Sequence, residues 1–362
     1  MKKTNFFVDC HVFDGNLQGT TTYIKGLYQE LIKDKSNTFF LAAFDVYNLE
    51  SVFGLHENVI YLKYRSKNKY IRLLFDIPKI IKSNNIDFAH FQYIVPPIKN
   101  CKFIVTIHDV LFLDFPDSFP IFYRIKNKLL FKASAKYSDI VLTVSEYSRK
   151  QIQKHFNISE ITITPNAVDP IYFNLYDKIF IKKEVKEKFK VINYFIYVSR
   201  WEPRKNHHTL LRAFVENQYY KTYNLVFVGD KAIENQEYNN YYLTLPGDIK
   251  DTIFTFNKID FQELLLLVRG ADLSIYPSKA EGFGIPPLES IAASVPTICS
   301  NTTAMSDFQF FDDCLFNPID LEDLKVKIEM GLKDTRITQK RKAMADKFSW
   351  KNATEQFKKA VS

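Results

Sequence analysis

Between Glu281 and Glu289 the chain reads EGFGIPPLE, two carboxylates around two glycines, an aromatic and paired prolines. Upstream, Arg200 and Lys205 stand in SRWEPRKN, directly after the apolar run YFIYV. A cation at the start of a helix opposes the macrodipole unless an anion shares the place. Arg200 and Lys205, flanking a strand-to-helix turn, therefore form a candidate diphosphate clamp; the plainer reading is two surface cations on a polar turn. The GFG segment supplies backbone that can approach a ligand without Cβ interference. Pro286 and Pro287 suit the first turn of a helix that PLESIAAS continues. Backbone N–H groups of Gly282, Phe283, Gly284 and Ile285 at that helix entrance can hold phosphate oxygens. Glu289, within about a turn of the helix start, suits two hydrogen bonds from vicinal hydroxyls, as on a ribose. Glu281 precedes the helix and lies closer to the remainder of such a ligand, where a sugar would sit. An acidic first turn alone accounts for Glu289 but leaves the paired spacing and GFG unexplained.

Residues in these roles need rigid elements behind them. Short runs rich in Val, Ile and Phe recur at 4–10, 38–44, 58–64, 87–93, 102–109, 139–145 and 161–166. A second series follows at 194–200, 224–230, 252–257, 272–278 and 296–301. Helix-like stretches lie between several of them; in TTTYIKGLYQELIK, Tyr23, Ile24, Leu27 and Leu31 share one face. Continuous apolar strands alternating with helices predict parallel sheets buried on both sides, in a doubly wound α/β fold. In such sheets ligands gather beyond the carboxyl ends of the strands. Asn, Asp and two prolines interrupt the pattern in TPNAVDPIYF (164–173), which predicts a first domain over 1–172 and a second over 173–335. The remaining helices, 336–362, are expected to pack back on the first domain, and the two Rossmann-like domains to face a central cleft.

At 362 residues, with 46% apolar content, 10 Gly and 14 Pro, the chain is a folded protein of more than one core. Cys10, Cys101, Cys299 and Cys314 are widely spaced, so reduced thiols in a cytoplasmic protein are expected. No stretch is long and apolar enough for a bilayer span, and Asp9 cuts the first apolar run short of a signal peptide. The net charge of +8 implies an anionic partner. Residues 1–170 hold 22 Lys and Arg against 16 Asp and Glu, an excess of +6. Two windows without acids, 63–72 and 124–136, concentrate it; they are either solvated helix faces or a surface that rests on anionic lipid.

The Glu281–Glu289 pair with GFG inside it, YPS before it, and SRWEPRKN resemble the retaining glycosyltransferases of family 4, the glycosyl transferases group 1, which have the GT-B fold. GD after NLVFV, VSEYSRKQI, TPNAVD and FSW (348–350) extend the resemblance over nearly the whole chain. It implies that Arg200 and Lys205 contact the donor diphosphate, that Glu289 binds ribose, and that Glu281 lies beside the donor sugar. It further implies a place near the reacting sugar for His108 in VTIHDV. NLQGTTTY corresponds to a phosphate loop, with Gly19 and Thr20 as donor contacts and one glycine where many relatives have two. The donor would be a UDP- or GDP-sugar, the acceptor a saccharide on a lipid carrier, and the pathway surface polysaccharide, O-antigen or capsule synthesis on the inner face of the membrane.

No Asp-x-Asp occurs in the chain, so no metal and no cofactor beyond the nucleotide-sugar co-substrate is expected. A nucleotide-sugar epimerase or hydrolase of the same fold is the alternative activity. Binding of nucleic acid ranks third, because the basic windows lack interleaved aromatics and no RNA or DNA motif appears.

Overall fold

The computed structural model describes residues 3–15 and 19–362. The chain divides into two compact units, Met1–Ala167 with Phe348–Ser362, and Val168–Lys347. The first is built on seven parallel strands: β1 (Thr4–Asp9), β2 (Asn37–Ala43), β3 (Val59–Lys63), β4 (Phe88–Gln92), β5 (Lys102–Thr106), β6 (Ile140–Thr143) and β7 (Thr162–Ile163). Their order is β3-β2-β1-β4-β5-β6-β7, so the winding reverses between β1 and β4. Phe6 of β1 pairs in register with Phe39 of β2 and Phe88 of β4, and its ring stacks on both at 5.6 and 5.2 Å.

The helix Gly19–Leu31 buries the expected face, Tyr23, Ile24, Leu27 and Leu31. The last helix, Trp350–Val361, lies against it. A Cβ on Gly26 would fall 1.9 Å from Trp350 Cε2, so only glycine lets the indole seat there. The FSW motif is thereby explained as packing, with Ser349 capping the helix by accepting from the Asn352 amide.

The second unit holds six parallel strands: β8 (Tyr194–Val198), β9 (Asn224–Val228), β10 (Ile253–Phe256), β11 (Leu273–Tyr276), β12 (Thr297–Ser300) and β13 (Leu315–Phe316). Their order is β10-β9-β8-β11-β12-β13, with the reversal between β8 and β11. All twelve expected strands exist, each ending before the loop residues that the sequence windows included. β13, two residues long, was not among the expected strands.

Two domain limits need correction. Residues 168–172 belong to the second unit, where Tyr172 is buried and Arg269 donates to the Ile171 carbonyl at 2.8 Å. The helix Ile337–Lys347 also stays with the second unit. Its Met344 is fully buried, buried Lys340 pairs with Asp334 and lies 3.1 Å from Cys314 Sγ, and Arg341 donates to the Phe173 carbonyl at 2.6 Å. All four cysteines are unbridged thiols. Among the described residues no helix is long and apolar enough to cross a membrane.

Candidate active site

In the second unit the loops after β8, β9 and β11 meet. Gly229, with φ +144°, is the residue that permits it: a Cβ there would lie 2.2 Å from the Ser199 carbonyl oxygen. That close approach accounts for GD after NLVFV. Beyond it, Pro203–Lys205 form one short helical turn, and Asn206 follows in the left-handed region at φ 60°. Asn206 Nδ2 donates to the carbonyls of Pro277 and Pro318 at 3.1 and 2.8 Å. The Tyr197 hydroxyl donates to the Lys205 carbonyl at 2.7 Å, and the Lys279 amide to the Arg204 carbonyl at 2.8 Å. The basic turn after β8 is thus stitched to the loop after β11.

That stitching brings Lys205 Nζ to 2.6 Å from Glu281 Oε1. Arg204 donates to the Ala280 carbonyl at 2.7 Å, stands 3.4 Å from Glu281 Oε2, and pairs with Glu202 at 2.8 Å. Arg200 is the outermost cation, with 59% of its side chain exposed and 3.8 Å to Glu202. Sequence reasoning named Arg200, Lys205 and Glu281 but missed Glu202 and Arg204, although both stand in the same SRWEPRKN stretch.

Burial pulls the Lys205 ammonium below its ordinary range, and Arg204 adds to this, while Glu281 opposes. Burial would raise the Glu281 carboxyl, but Lys205 and Arg204 outweigh it and hold the group below its usual value. The pair is therefore ionic, a carboxylate neutralised from two sides.

The Glu281 amide donates to Thr303 Oγ1 at 2.9 Å, which fixes the start of the EGFG segment. Gly284 caps the helix Ile285–Ala292 at φ +99°, and Pro286 and Pro287 occupy its first turn, as read from the sequence. The space left by its missing Cβ is not a ligand's, however. A Cβ there would stand 2.9 Å from Met305 Cγ and 3.3 Å from Phe308 Cε2, so Gly284 admits the protein's own side chains. Phe283 meets the Phe308 ring edge-on at 5.8 Å, and Gly282 is buried.

Glu289 lies partly buried in that helix. Burial first, and the nearby Asp169 carboxylate second, push its carboxyl up to about 7; a hydrogen bond with Tyr172 acts the other way. Asp169 and Tyr172 come from the DPIY stretch, and neither was foreseen as a neighbour of Glu289.

The other expected residues belong to the first unit. His108 follows β5 and is buried, its Nε2 donating to Gln92 Oε1 at 2.6 Å and its ring edge-on to Tyr23 at 5.0 Å. Burial pulls its pKa down to about 3, so the imidazole is neutral. Behind it runs a buried chain of polar contacts: His90 with Tyr28 at 2.8 Å and Thr106 at 2.7 Å, and Tyr23 with Thr164 at 2.6 Å. Gly19 and Thr20 open the helix Gly19–Leu31. The rest of the expected phosphate loop, Asn16 to Gln18, lies outside the described residues. Among the described residues no three His, Cys, Asp or Glu side chains are grouped to hold a metal ion.

Two parallel-sheet Rossmann-like units, with charged residues after the strands where the winding reverses, define the GT-B glycosyltransferase fold. A family profile described as glycosyl transferases group 1 matches residues 178–347, and one described as glycosyltransferase family 4 matches residues 17–171. The chain belongs to this family. It is 30% identical over 228 residues to the O-antigen chain mannosyltransferase RfbU of Salmonella typhimurium, covering 62% of this chain and 57% of that protein. The chain thus aligns with somewhat over half the length of that relative. It is 28% identical over 264 residues to O-antigen chain mannosyltransferase B of Escherichia coli, covering 70% of this chain and 68% of the other. Among solved structures, sucrose-phosphate synthase of Thermosynechococcus elongatus superimposes with a TM-score of 0.74 at 16% identity, over 99% of this chain and 98% of that one. HepE of Anabaena, solved with UDP and glucose, gives 0.72 at 15% identity over 99% of each chain.

Proposed function

We propose that this protein transfers a hexose-type sugar from a UDP- or GDP-sugar to a saccharide carried on a lipid, in the synthesis of a surface polysaccharide such as O-antigen or capsule. The reading rests on one observation above the others, the part-buried Lys205–Glu281 pair with Arg204 and Arg200 beside it, beyond the end of β8. An ammonium has three donors. Lys205 can keep Glu281 with one and bind phosphate oxygens with the others, so one cation connects the acid beside the sugar to the leaving diphosphate. The names of the O-antigen relatives support the pathway and make a mannosyl donor the first to try. HepE, solved with UDP and glucose, supports a nucleotide-sugar donor.

The transfer proceeds with retention and without a metal. A double displacement calls for a free carboxylate on the far face of the anomeric carbon, and Glu281 is tied to Lys205 and Arg204. In the front-face alternative the anomeric C–O bond to the diphosphate breaks, and the acceptor oxygen bonds to the same face. The acceptor proton passes to the departing phosphate oxygen. Arg200, Lys205 and the helix entrance at Ile285 stabilise the charge that grows there. His108 is neutral and held by Gln92, so its part in the reaction is that of a hydrogen-bonding group and not of a charge.

The test is sugar transfer by Lys205→Ala, with the donor first identified by a thermal-shift screen of UDP- and GDP-sugars. Turnover should fall by roughly 10²–10³ in a folded variant; unaltered transfer removes the clamp. Donor consumption without transfer in the presence of acceptor would favour the epimerase or hydrolase.

A further inference from the structure

We propose that the first unit docks on an anionic bilayer through two amphipathic helical segments, with the apolar stripe of the helix Ile121–Tyr137 entering the interface. The inference does not depend on the transferase reading. Ile121, Phe122, Ile125 and Leu129 recur at one-turn spacing on that helix and are all exposed, Phe122 by 84% and Leu129 by 65%. A soluble surface rarely leaves four large apolar side chains in one stripe without an occupant. Around the stripe stand Arg124, Lys126, Lys128, Lys132 and Lys136, and no acid occurs between Asp117 and Asp139.

The segment 69–83 repeats the design. Tyr70, Ile71, Leu74 and Phe75 are exposed, Phe75 by 59%, and the stretch 58–75 holds five Lys or Arg and no acid. A surface depression of about 450 Å³ opens between Arg65, Ser66, Ile71 and Phe75. The two segments share one layer. Ile77 and Ile81 below the second, and Phe131 and Ala135 below the first, belong to a single core cluster with Phe7, Phe91 and Phe103 of the sheet. Both are crossovers in which the chain moves from β3 towards β7 across the sheet, β3 to β4 and β5 to β6. Right-handed connections place such crossovers on the same face. Two basic, apolar-tipped helices on one layer can meet one plane together.

Charge decides the occupant. A second copy of the chain would bring the same cations against these cations, whereas an anionic lipid surface attracts them and its acyl boundary accepts the apolar stripe. A surface held by charge alone lets go in salt; one that also inserts apolar side chains keeps a salt-resistant part.

The experiment is co-sedimentation of the full chain with vesicles of phosphatidylcholine containing 30% phosphatidylglycerol, and with phosphatidylcholine alone. Binding to the anionic vesicles at 50 mM salt, weakened about ten-fold or more at 500 mM without being abolished, is expected. The triple variant Phe122→Ser, Ile125→Ser, Leu129→Ser should lose at least about thirty-fold of the partitioning at either salt. Lys126→Gln with Lys128→Gln and Lys132→Gln should lose binding chiefly at low salt. Phe122→Trp, which preserves bulk, should show a blue-shifted emission on adding anionic vesicles, and it carries the test if the triple variant does not fold. No binding at 50 mM salt, equal binding to neutral vesicles, or no emission shift overturns the proposal. So does a wild-type dimer in sedimentation that the triple variant abolishes, since the occupant is then a second copy.

Discussion

Replacing Glu289 by Gln keeps the size of the side chain and removes its ionisation. In the folded protein this carboxyl is pushed up to about 7 from its ordinary 4.5, by burial and then by Asp169. A raised acid favours folding in its protonated form. Its contribution is complete below 4.5 and is lost as pH rises towards 7, where the folded protein must either keep a proton or hold an unwelcome charge. At about 1.36 kcal/mol per pH unit the interval amounts to roughly 3 kcal/mol, and partial exposure of the carboxyl trims it to about 2–3 kcal/mol. Urea unfolding of wild type and Glu289→Gln between pH 5 and 8.5, at fixed ionic strength, reads the effect directly. Wild type should lose about 2–3 kcal/mol relative to the variant across that range. A difference that stays flat within about 0.5 kcal/mol would show that the carboxyl titrates normally and that its pocket is not what the structure shows. The same group gives a second readout tied to donor binding. On the proposed reading two ribose hydroxyls donate to this carboxylate, so the donor should bind the ionised form and release a proton. Donor affinity should then rise up to ten-fold per pH unit below 7 and level off above it, while Glu289→Gln gives a flat profile.

Two further substitutions probe how the sites are built. Gly229→Ala places a Cβ 2.2 Å from the Ser199 carbonyl oxygen at φ +144° and should cost about 3 kcal/mol or more in urea unfolding; a loss below about 1 kcal/mol would contradict the close approach of the two loops. Gln92→Glu sets a carboxylate at the 2.6 Å contact with His108 Nε2 and should lift the imidazole from about 3 by roughly one to three units. An NMR titration of the His108 ring follows this, and an unmoved ring would mean that Gln92 does not hold it.

Much of this was legible in the residues. Parallel strands buried on both faces appear as apolar runs, and β1 to β12 were visible as such. The cations and acids that matter stand directly after those runs, where a doubly wound sheet collects its ligands, and so Arg200, Lys205 and Glu281 could be grouped before any coordinates. Distances within one loop were less readable. SRWEPRKN has three cations, and only the turn Pro203–Lys205, pinned by Asn206, decides that Lys205 and Arg204 face Glu281 while Arg200 stays outside. Gly284 was readable only in part for a related reason. A glycine by a helix start signals close approach, but the approaching group was Met305, twenty-one positions on. Gln92 was readable in principle: it sits opposite Thr106 in the parallel register of β4 and β5, and His108 is two residues further along the same face.

Tyr172 and Asp169 stand in the TPNAVDPIYF stretch, but nothing in the sequence marked them as neighbours of Glu289, because they reach it from more than a hundred residues upstream. An acid accepting from ribose hydroxyls is usually pictured as a standing carboxylate. Here Glu289 is placed beside a second acid, in partial burial, with a tyrosine hydroxyl as its partner. On the proposed reading, a nucleotide whose ribose meets Glu289 has to displace or share that hydroxyl and draw the carboxyl into its charged form. On the same reading Lys205 faces the matching task at the other end, since its ammonium is part-buried and already neutralised by Glu281. On that reading each half of the donor meets a group that the protein already pairs with one of its own side chains. Affinity for the donor is then a difference between two sets of hydrogen bonds. Tyr172→Phe should consequently move the rise in donor affinity to higher pH, since the hydroxyl it removes is what holds the Glu289 carboxyl down, without altering the Lys205 end.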